Sequence, residues 1–325
     1  MIKNNVVAMG GGTGTFPVVT ALKSLDFNIS AIISVSDSGG STGRIRDEFG
    51  FQPVGDLRQS LAALANVEQQ DWIQKILLYR FSKGSGLKGH NLGNLILTAL
   101  QDMSGNTTQA LEIAEKVFDL DGSVIPVTAT NVSLKIHYQD GTSVIGEHIL
   151  DSNEKNPKKI ERISLTPKCK LNPIANDSIL KAKYIIIGPG DHFASILSTL
   201  VADGTKTAFK NSKAKIIYVA NLMTRRTQTH EMTIGNHLKD IESAIGKKVN
   251  YILINDSEIS NDVLKKYASE QEYPVVDDLN GDKRIIRAKL LLDNVTIQNE
   301  NDTVHRSFLR HDSEKLKKVF AQLLK

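Results

Sequence analysis

Cysteine is all but missing from this sequence. Cys169 stands alone among 325 residues, so no internal disulfide can form and the chain suits a reducing compartment. Flanked by lysines in "TPKCKLNP", this thiol reads as a bystander and not as a nucleophile. No apolar run approaches the length needed to cross a bilayer, which argues against membrane insertion. The start, "MIKNNVVAMGGGTG", runs straight into a strand without the apolar core and small-residue cleavage site of a secretory leader. A cytoplasmic protein is the resulting expectation. A strong charge of either sign is lacking too, since 40 basic and 36 acidic residues leave +4. The basic clusters "KKIER" and "KLKK" read as solvated faces and give no footing for nucleic acid.

What remains is ordinary for a well-cored α/β protein: 40% hydrophobic and 23% charged residues. Short β-branched runs alternate with amphipathic stretches. "NVVAM" leads into a helix around Phe16–Leu25, and "ISAIISV" is followed by a helix from about Leu57, with Asp56 and Gln59 in a capping-box pattern. "GHNLGNLILTALQDM" reads as a helix, and Asn106 with Gln109 starts the next. "YIIIGPGDHFASILSTLV", "KIIYVANL" and "NYILIND" continue the rhythm, and the last helix carries Leu316, Val319, Phe320, Leu323 and Leu324 on one stripe. Near-continuous apolar strands interleaved with helices predict a three-layer α/β/α, Rossmann-like fold around a mainly parallel sheet. One segment breaks the pattern. "VSLKIHYQDGTSVIGEHI" alternates with period two around Asp140-Gly141 and, with "KIERISL", predicts a small antiparallel insertion over 131–166 within a single domain spanning 1–325.

Parallel sheets gather their strand-to-helix loops at one edge, where ligands bind. Four glycine-bearing segments suit that edge: "GGGTG" (Gly10–Gly14), "SDSGGSTGRIRDEFG" (Ser36–Gly50), "GLKGHNLGN" (Gly86–Asn94) and "IIIGPGDHFAS" (Ile185–Ser195). Glycine lets backbone amides approach an anion, and a following helix points its positive end at it. With Arg44, Arg46 and Lys88 nearby, the pattern predicts a phosphate-bearing ligand, most simply a nucleotide. The dinucleotide fingerprint G-x-G-x-x-G fails at its sixth place, Thr15, although Asp37 stands where an acid could hold a ribose; a nicotinamide enzyme is the weaker reading. The ATP-type loop G-x-x-x-x-G-K-[ST] does not follow the first strand.

These segments, in this order with "PVGDLRQSLAAL", "NLMT" and "LRHDSEKL", resemble the bacterial gluconeogenesis factor family, relatives of the archaeal 2-phospho-L-lactate transferases. The resemblance implies a Rossmann-like fold and a nucleotide-sugar ligand such as UDP-N-acetylglucosamine. It also implies a regulatory role in carbon metabolism and cell-wall morphogenesis. By the same resemblance, Gly11, Gly12, Thr13 and Gly14 line the diphosphate, and Asp37, Ser38, Gly39, Gly40, Ser41 and Arg44 close over it. His90, Asn91 and Asn94 face the nucleotide or sugar, Gly188, Pro189 and Gly190 approach its far side, and Arg310 with His311 forms a late match. Were the protein a transferase acting on a nucleoside diphosphate donor, Asp37 and Asp56 would be its catalytic carboxylates and its candidates for magnesium. A homo-oligomer and a regulatory protein partner stand as further expectations.

Local readings compete with these roles. Asp56 suits a helix cap as well as a catalytic group, and Asn91 or Asn94 suits a cap. Ser38, Ser41 and Thr42 suit turn hydroxyls, and Arg44 and Arg46 suit a surface. His311 suits a polar approach to the last helix. The chain also departs from its relatives: an acidic "GET"-like stretch is replaced by "RRTQTHEMT" (Arg225–Thr233), with Gln228 in place of the acid. A second departure, "QNENDTVHRSF" (Gln298–Phe308), reads as a lengthened surface loop.

Overall fold

The computed structural model describes residues 3–65, 70–151, 158–293 and 307–325. Most of the 298–308 stretch therefore lies outside the described residues; Ser307 and Phe308 are within them. The first half of the chain runs β1 (Asn5–Gly10), α1 (Gly12–Lys23), β2 (Asn28–Ile33), α2 (Gly40–Phe49), α3 (Gly55–Leu64), α4 (Gln70–Leu78), α5 (Leu92–Ser104), α6 (Thr107–Val117) and β3 (Ser123–Pro126). An antiparallel piece follows: β4 (Ser133–Tyr138), β5 (Ser143–Ile145) and β6 (Ile160–Thr166). The second half runs α7 (Pro173–Lys181), β7 (Tyr184–Ile187), α8 (Thr205–Asn211), β8 (Lys215–Val219), α9 (Ile234–Ile245), β9 (Tyr251–Asn255), α10 (Asn261–Ser269), β10 (Ile285–Ala288) and α11 (Ser313–Leu323).

Among the described residues, seven strands pair in parallel in the order β10-β9-β8-β7-β1-β2-β3. The central strands read as unbroken apolar runs because helices cover both faces: Val6 to Met9, Ile185 to Ile187 and Ile216 to Val219 are all buried. Helices α1, α3 and α11 pack together, and α8 packs against α7 and α9. The α11 stripe seals its helix, with Leu316 and Phe320 fully buried. This is a three-layer, Rossmann-like α/β/α fold. From β1 the chain winds outward through β2 and β3, then returns to the other side of β1 as β7 and winds the opposite way. The connections after β1 and β7 therefore lead toward opposite edges of the sheet, and such a switch point leaves a crevice at its carboxyl edge.

The antiparallel piece is a separate three-stranded sheet in the order β5-β4-β6. Asp140 makes the turn, its Oδ1 accepting from the Thr142 amide at 2.9 Å. This sheet sits in the crossover between β3 and β7 and is bonded to loops of both halves. Arg46 donates to the Val132 carbonyl at 2.9 Å and to Ser133 Oγ at 2.8 Å. The Thr227 hydroxyl donates to the Leu150 carbonyl, and Lys159 pairs with Glu231 at 3.0 Å. Two local expectations shift. Helix α1 begins at Gly12, ahead of Phe16, because the glycine loop itself winds into the first turn. Asp56 is not the cap of α3: Val54 holds that position, and Asp56 lies inside the first turn while Gln59 turns away to donate to Thr13 Oγ1 at 2.8 Å.

Candidate functional site

Helices α1, α2 and α3 bring their N-termini to one cavity of about 230 Å³, lined among others by Thr13, Gly14, Gly39, Ser41, Gly55 and Asp56. Their cap residues are Gly11, Gly39 and Val54, and none of the three closes its helix with its own side chain. By contrast, α5, α6, α7, α9 and α11 are each closed by an Asn, Thr or Asp side chain. The first-turn amides of a helix have no partner within it, and together they carry the positive end of the dipole. Three such ends at one hollow make an anion-binding surface.

The glycines make the convergence possible by what they leave out. A Cβ at Gly14 would sit 2.3 Å from the Pro189 carbonyl oxygen and 2.7 Å from Gly190 Cα, so the loops after β1 and β7 touch backbone to backbone. A Cβ at Gly12 would meet the Asp56 carbonyl at 2.6 Å, and one at Gly55 would meet Thr42 Oγ1 at 2.5 Å. These contacts hold α1, α2 and α3 at a spacing that no larger residue allows.

Of the residues singled out from the sequence, Thr13, Gly14, Asp37, Gly39, Ser41, Thr42, Asn94, Pro189, Gly190, Arg310 and His311 line the cavity, as does Asp56. Asp37 shapes its own loop, Oδ1 accepting from the Gly39 amide at 2.8 Å. The others lie behind or beside the wall. Gly11, Gly12 and Gly40 form the helix starts behind it. Ser38 pairs with His148 of the antiparallel segment, Oγ to Nδ1 at 3.0 Å. Asn91 caps α5, accepting from the Asn94 amide. Gly188 packs near the Val219 carbonyl. His90 reaches Ser41 Oγ through Nδ1 at 3.2 Å; burial, with Arg44 close by, holds its imidazole below the ordinary range. Arg44 is exposed beside Gly89 and is not brought into the cavity. Arg46 turns instead to the antiparallel sheet.

Several cavity residues escaped sequence reasoning. Arg58 is buried, with Nε donating to Asn94 Oδ1 at 2.8 Å and an Nη to the Leu77 carbonyl at 2.9 Å. Its signal was available, two places after Asp56 in "PVGDLRQ". Asn221 of "NLMT" also lines the wall and donates to the Gly190 carbonyl at 2.6 Å, fixing the turn after β7. Glu147 and Glu272 arrive from distant segments with no local signature. The atypical 225–233 stretch does reach the site. Arg225 lines it between Asp191 and Glu272, 3.6 Å from each, and buried Gln228 accepts from the Ala194 amide at 3.3 Å.

The cavity has two characters. Around α1, α2 and α3 it offers backbone amides, hydroxyls and the carboxylates Asp37 and Asp56. Toward the ends of β8 and α11 it offers Asn221, Leu222, Met223, Leu309 and His311. Among the described residues no group of three or more His, Cys, Asp or Glu side chains is arranged to hold a metal ion. Asp37 and Asp56 both line the cavity, and magnesium of the kind that keeps one or two protein carboxylates completes its shell with phosphate oxygens and water.

The model of the family described as 2-phospho-L-lactate transferase CofD matches residues 6–295. A gluconeogenesis factor of Bacillus subtilis is 33% identical over 326 residues, covering 99% of each chain. A gluconeogenesis factor of Halalkalibacterium halodurans is 38% identical over 281 residues, 86% of this chain and 85% of that one. A crystal structure of a UPF0052-family protein from Bacillus halodurans superposes with a TM-score of 0.87 at 34% identity, covering 99% of both chains. With fold, loop order and likeness agreeing over nearly the full length, the chain belongs to the 2-phospho-L-lactate transferase CofD family, alongside its gluconeogenesis factor members.

Proposed function

We propose that this protein is a nucleotide-sugar-binding regulator of carbon metabolism and cell-wall morphogenesis that works in the cytoplasm, with a UDP-N-acetylglucosamine-like ligand. The observation that carries the reading is the meeting of three helix N-termini, none closed by the side chain of its own cap residue, at one cavity. Their amides would take the diphosphate oxygens, since hydrogen bonds to a charged acceptor are worth roughly 1.5–3 kcal/mol each. Ser41 and Thr13 add hydroxyls, and the β8 side receives the rest of the ligand. Occupancy would be passed on through the 225–233 segment, which touches both the cavity and the antiparallel sheet. Among the described residues no helix is long and apolar enough to cross a membrane. Calorimetry with UDP-N-acetylglucosamine tests the reading; affinity no greater than for inorganic sulfate would refute it.

A second reading, group transfer from a nucleoside diphosphate donor, is favoured by one observation: Asp37 and Asp56 face the same cavity. Together they would hold a magnesium ion, which when bound would neutralise charge on the phosphate oxygens. Incubation with UDP- and GDP-linked donors plus magnesium separates the two readings. Nucleotide release that Asp56→Asn abolishes, with binding retained, would favour transfer.

A further inference from the structure

The cavity lies at the carboxyl edge of the large sheet, and the amino edge carries a different chemistry. Lysines gather where β7, β8 and β9 begin. Lys183 directly precedes β7 and Lys215 opens β8; the Lys215 amide donates to the Lys183 carbonyl at 3.0 Å, which makes them neighbours. Lys206 and Lys210 of α8 lie over the end of α9, since a Cβ at Gly246 would meet Lys206 Cε at 2.6 Å and Lys210 Cε at 2.9 Å. Lys247 follows, and its Nζ donates to the Ser212 carbonyl at 2.7 Å, beside Lys213. These contacts join three connections into one surface, on which Lys183, Lys206, Lys210, Lys213 and Lys215 are all exposed.

Local needs account for only part of this charge. The carbonyl ends of α7, α8 and α9 lie here, and a lysine near each offsets the negative end of that helix. Two carboxylates pair with the surface: Asp177 with Lys181 at 3.8 Å and Glu242 with Lys248 at 2.6 Å. Among the described residues, the five exposed lysines just named make no ion pair. To either side the charge is balanced. Asp26 meets Lys3 at 2.6 Å before β1, and Asp282 and Glu242 each meet Arg284 at 2.6 Å before β10. The modest net charge of the chain thus hides a bounded positive excess on the edge away from the cavity.

We propose that this amino edge, from β7 to β9, is a docking surface for an anionic phospholipid bilayer. Its chemistry separates a bilayer from other polyanions. Nucleic acids are held by arginine forks and by aromatic rings that stack on bases. Segments 177–184, 205–215 and 242–250 contain no arginine, and their aromatic rings, Tyr184 and Phe209, are buried. What the surface adds is apolar: Leu180, beside Lys181 at the end of α7, is 41% exposed. Ammonium groups with an exposed leucine suit a diffuse negative headgroup layer. Because the cavity lies at the other edge, the protein can rest on lipid with that site in water, and the inference is independent of what the cavity binds.

The test is sedimentation of the full chain with vesicles of phosphatidylcholine alone and of equal parts phosphatidylcholine and phosphatidylglycerol. The protein is expected to bind only the anionic vesicles. It should leave them as salt rises from about 0.1 M to about 1 M, which shortens the reach of charge from about 10 Å to about 3 Å. A lysine near an anionic leaflet strengthens binding about fivefold, so Lys206→Gln, Lys213→Gln and Lys215→Gln together should weaken it about hundredfold. Urea unfolding should find that variant as stable as the parent. Lys83→Gln, Lys88→Gln and Lys135→Gln, which remove equal charge elsewhere, should together bind as the parent does. Equal binding to both vesicle types, binding to neither, or a patch variant as tight as the parent overturns the proposal. An equal loss in the control variant also overturns it, because net charge alone would then explain the effect. So does a short DNA duplex bound more tightly than anionic vesicles at equal phosphate, for the surface would then serve nucleic acid.

Discussion

Replacing Gly14 with alanine sets two opposing effects against each other, and the structure decides which wins. Gly14 lies in the first turn of α1, where alanine is intrinsically favoured by up to about 1 kcal/mol. The added Cβ, however, would lie 2.3 Å from the Pro189 carbonyl oxygen, where ordinary contact begins at 3.4 Å. The β7 loop would have to retreat by about 1 Å, and it is not free to do so, because Asn221 holds the Gly190 carbonyl at 2.6 Å. Overpacking of this kind costs about 1–3 kcal/mol, so the net expectation is a destabilisation of about 1 kcal/mol. Binding should suffer more. Parting the loops misaligns the amides that are proposed to take the diphosphate, and on that reading the loss of even one charged hydrogen bond weakens affinity at least about tenfold. Urea unfolding gives the first quantity and calorimetry with UDP-N-acetylglucosamine the second. Gly86→Ala is the control, since nothing lies within 4 Å of that position. A Gly14→Ala protein as stable as the parent, with unchanged affinity, would refute the argument from loop contact.

Four further outcomes are expected. Arg58→Met strands Asn94 Oδ1 and the Leu77 carbonyl, and thermal melts should report a loss of about 3 kcal/mol. Arg44→Ala, at an exposed site outside the cavity, should leave nucleotide affinity by calorimetry within about threefold, because solvent and salt screen so exposed a charge. Thr233→Ala removes the capping box of α9 and the bond to Asp278 at 2.8 Å, for about 1–2 kcal/mol in urea unfolding. Burial raises the Glu115 carboxyl from 4.5 to about 7, so the folded state holds a proton that the unfolded state has released, and stability falls as pH rises across that window. A pH series of unfolding curves should show that Glu115→Gln, which keeps an acceptor for the Val124 amide, has a shallower fall than the parent between those values.

The alternation of apolar runs with helical stripes was enough to read a parallel sheet, because strands such as Val6–Met9 have no polar face to hide and their periodicity survives in the bare sequence. The antiparallel sheet was equally plain from the two-residue alternation around Asp140-Gly141. The glycine loops announced where the cavity would form. They did not announce how, since Gly11 and Gly12 lie behind its wall, where the absent side chain of Gly11 makes room for Ser195 and that of Gly12 serves the contact between α1 and α3. Arginines misled for a related reason. A guanidinium beside a glycine loop looks the same in sequence whether it is exposed, like Arg44, or buried, like Arg58, because burial depends on which face of a helix meets its neighbour. Glu147, Asn221 and Glu272 reach the cavity from three separate crossovers, a juxtaposition that no local pattern encodes.

The small antiparallel sheet has a consequence for engineering. It grows from the one crossover that carries the chain between the two windings of the large sheet, and it is tied to Arg46 and Ser38 on one flank and to Thr227 and Glu231 on the other. It works as a strut across the mouth of the crevice and not as an appendage. Excising residues 131–166 and closing the gap with a short linker would cut braces on both flanks at once, so the two rims would move independently and the pocket between them would lose its fixed width.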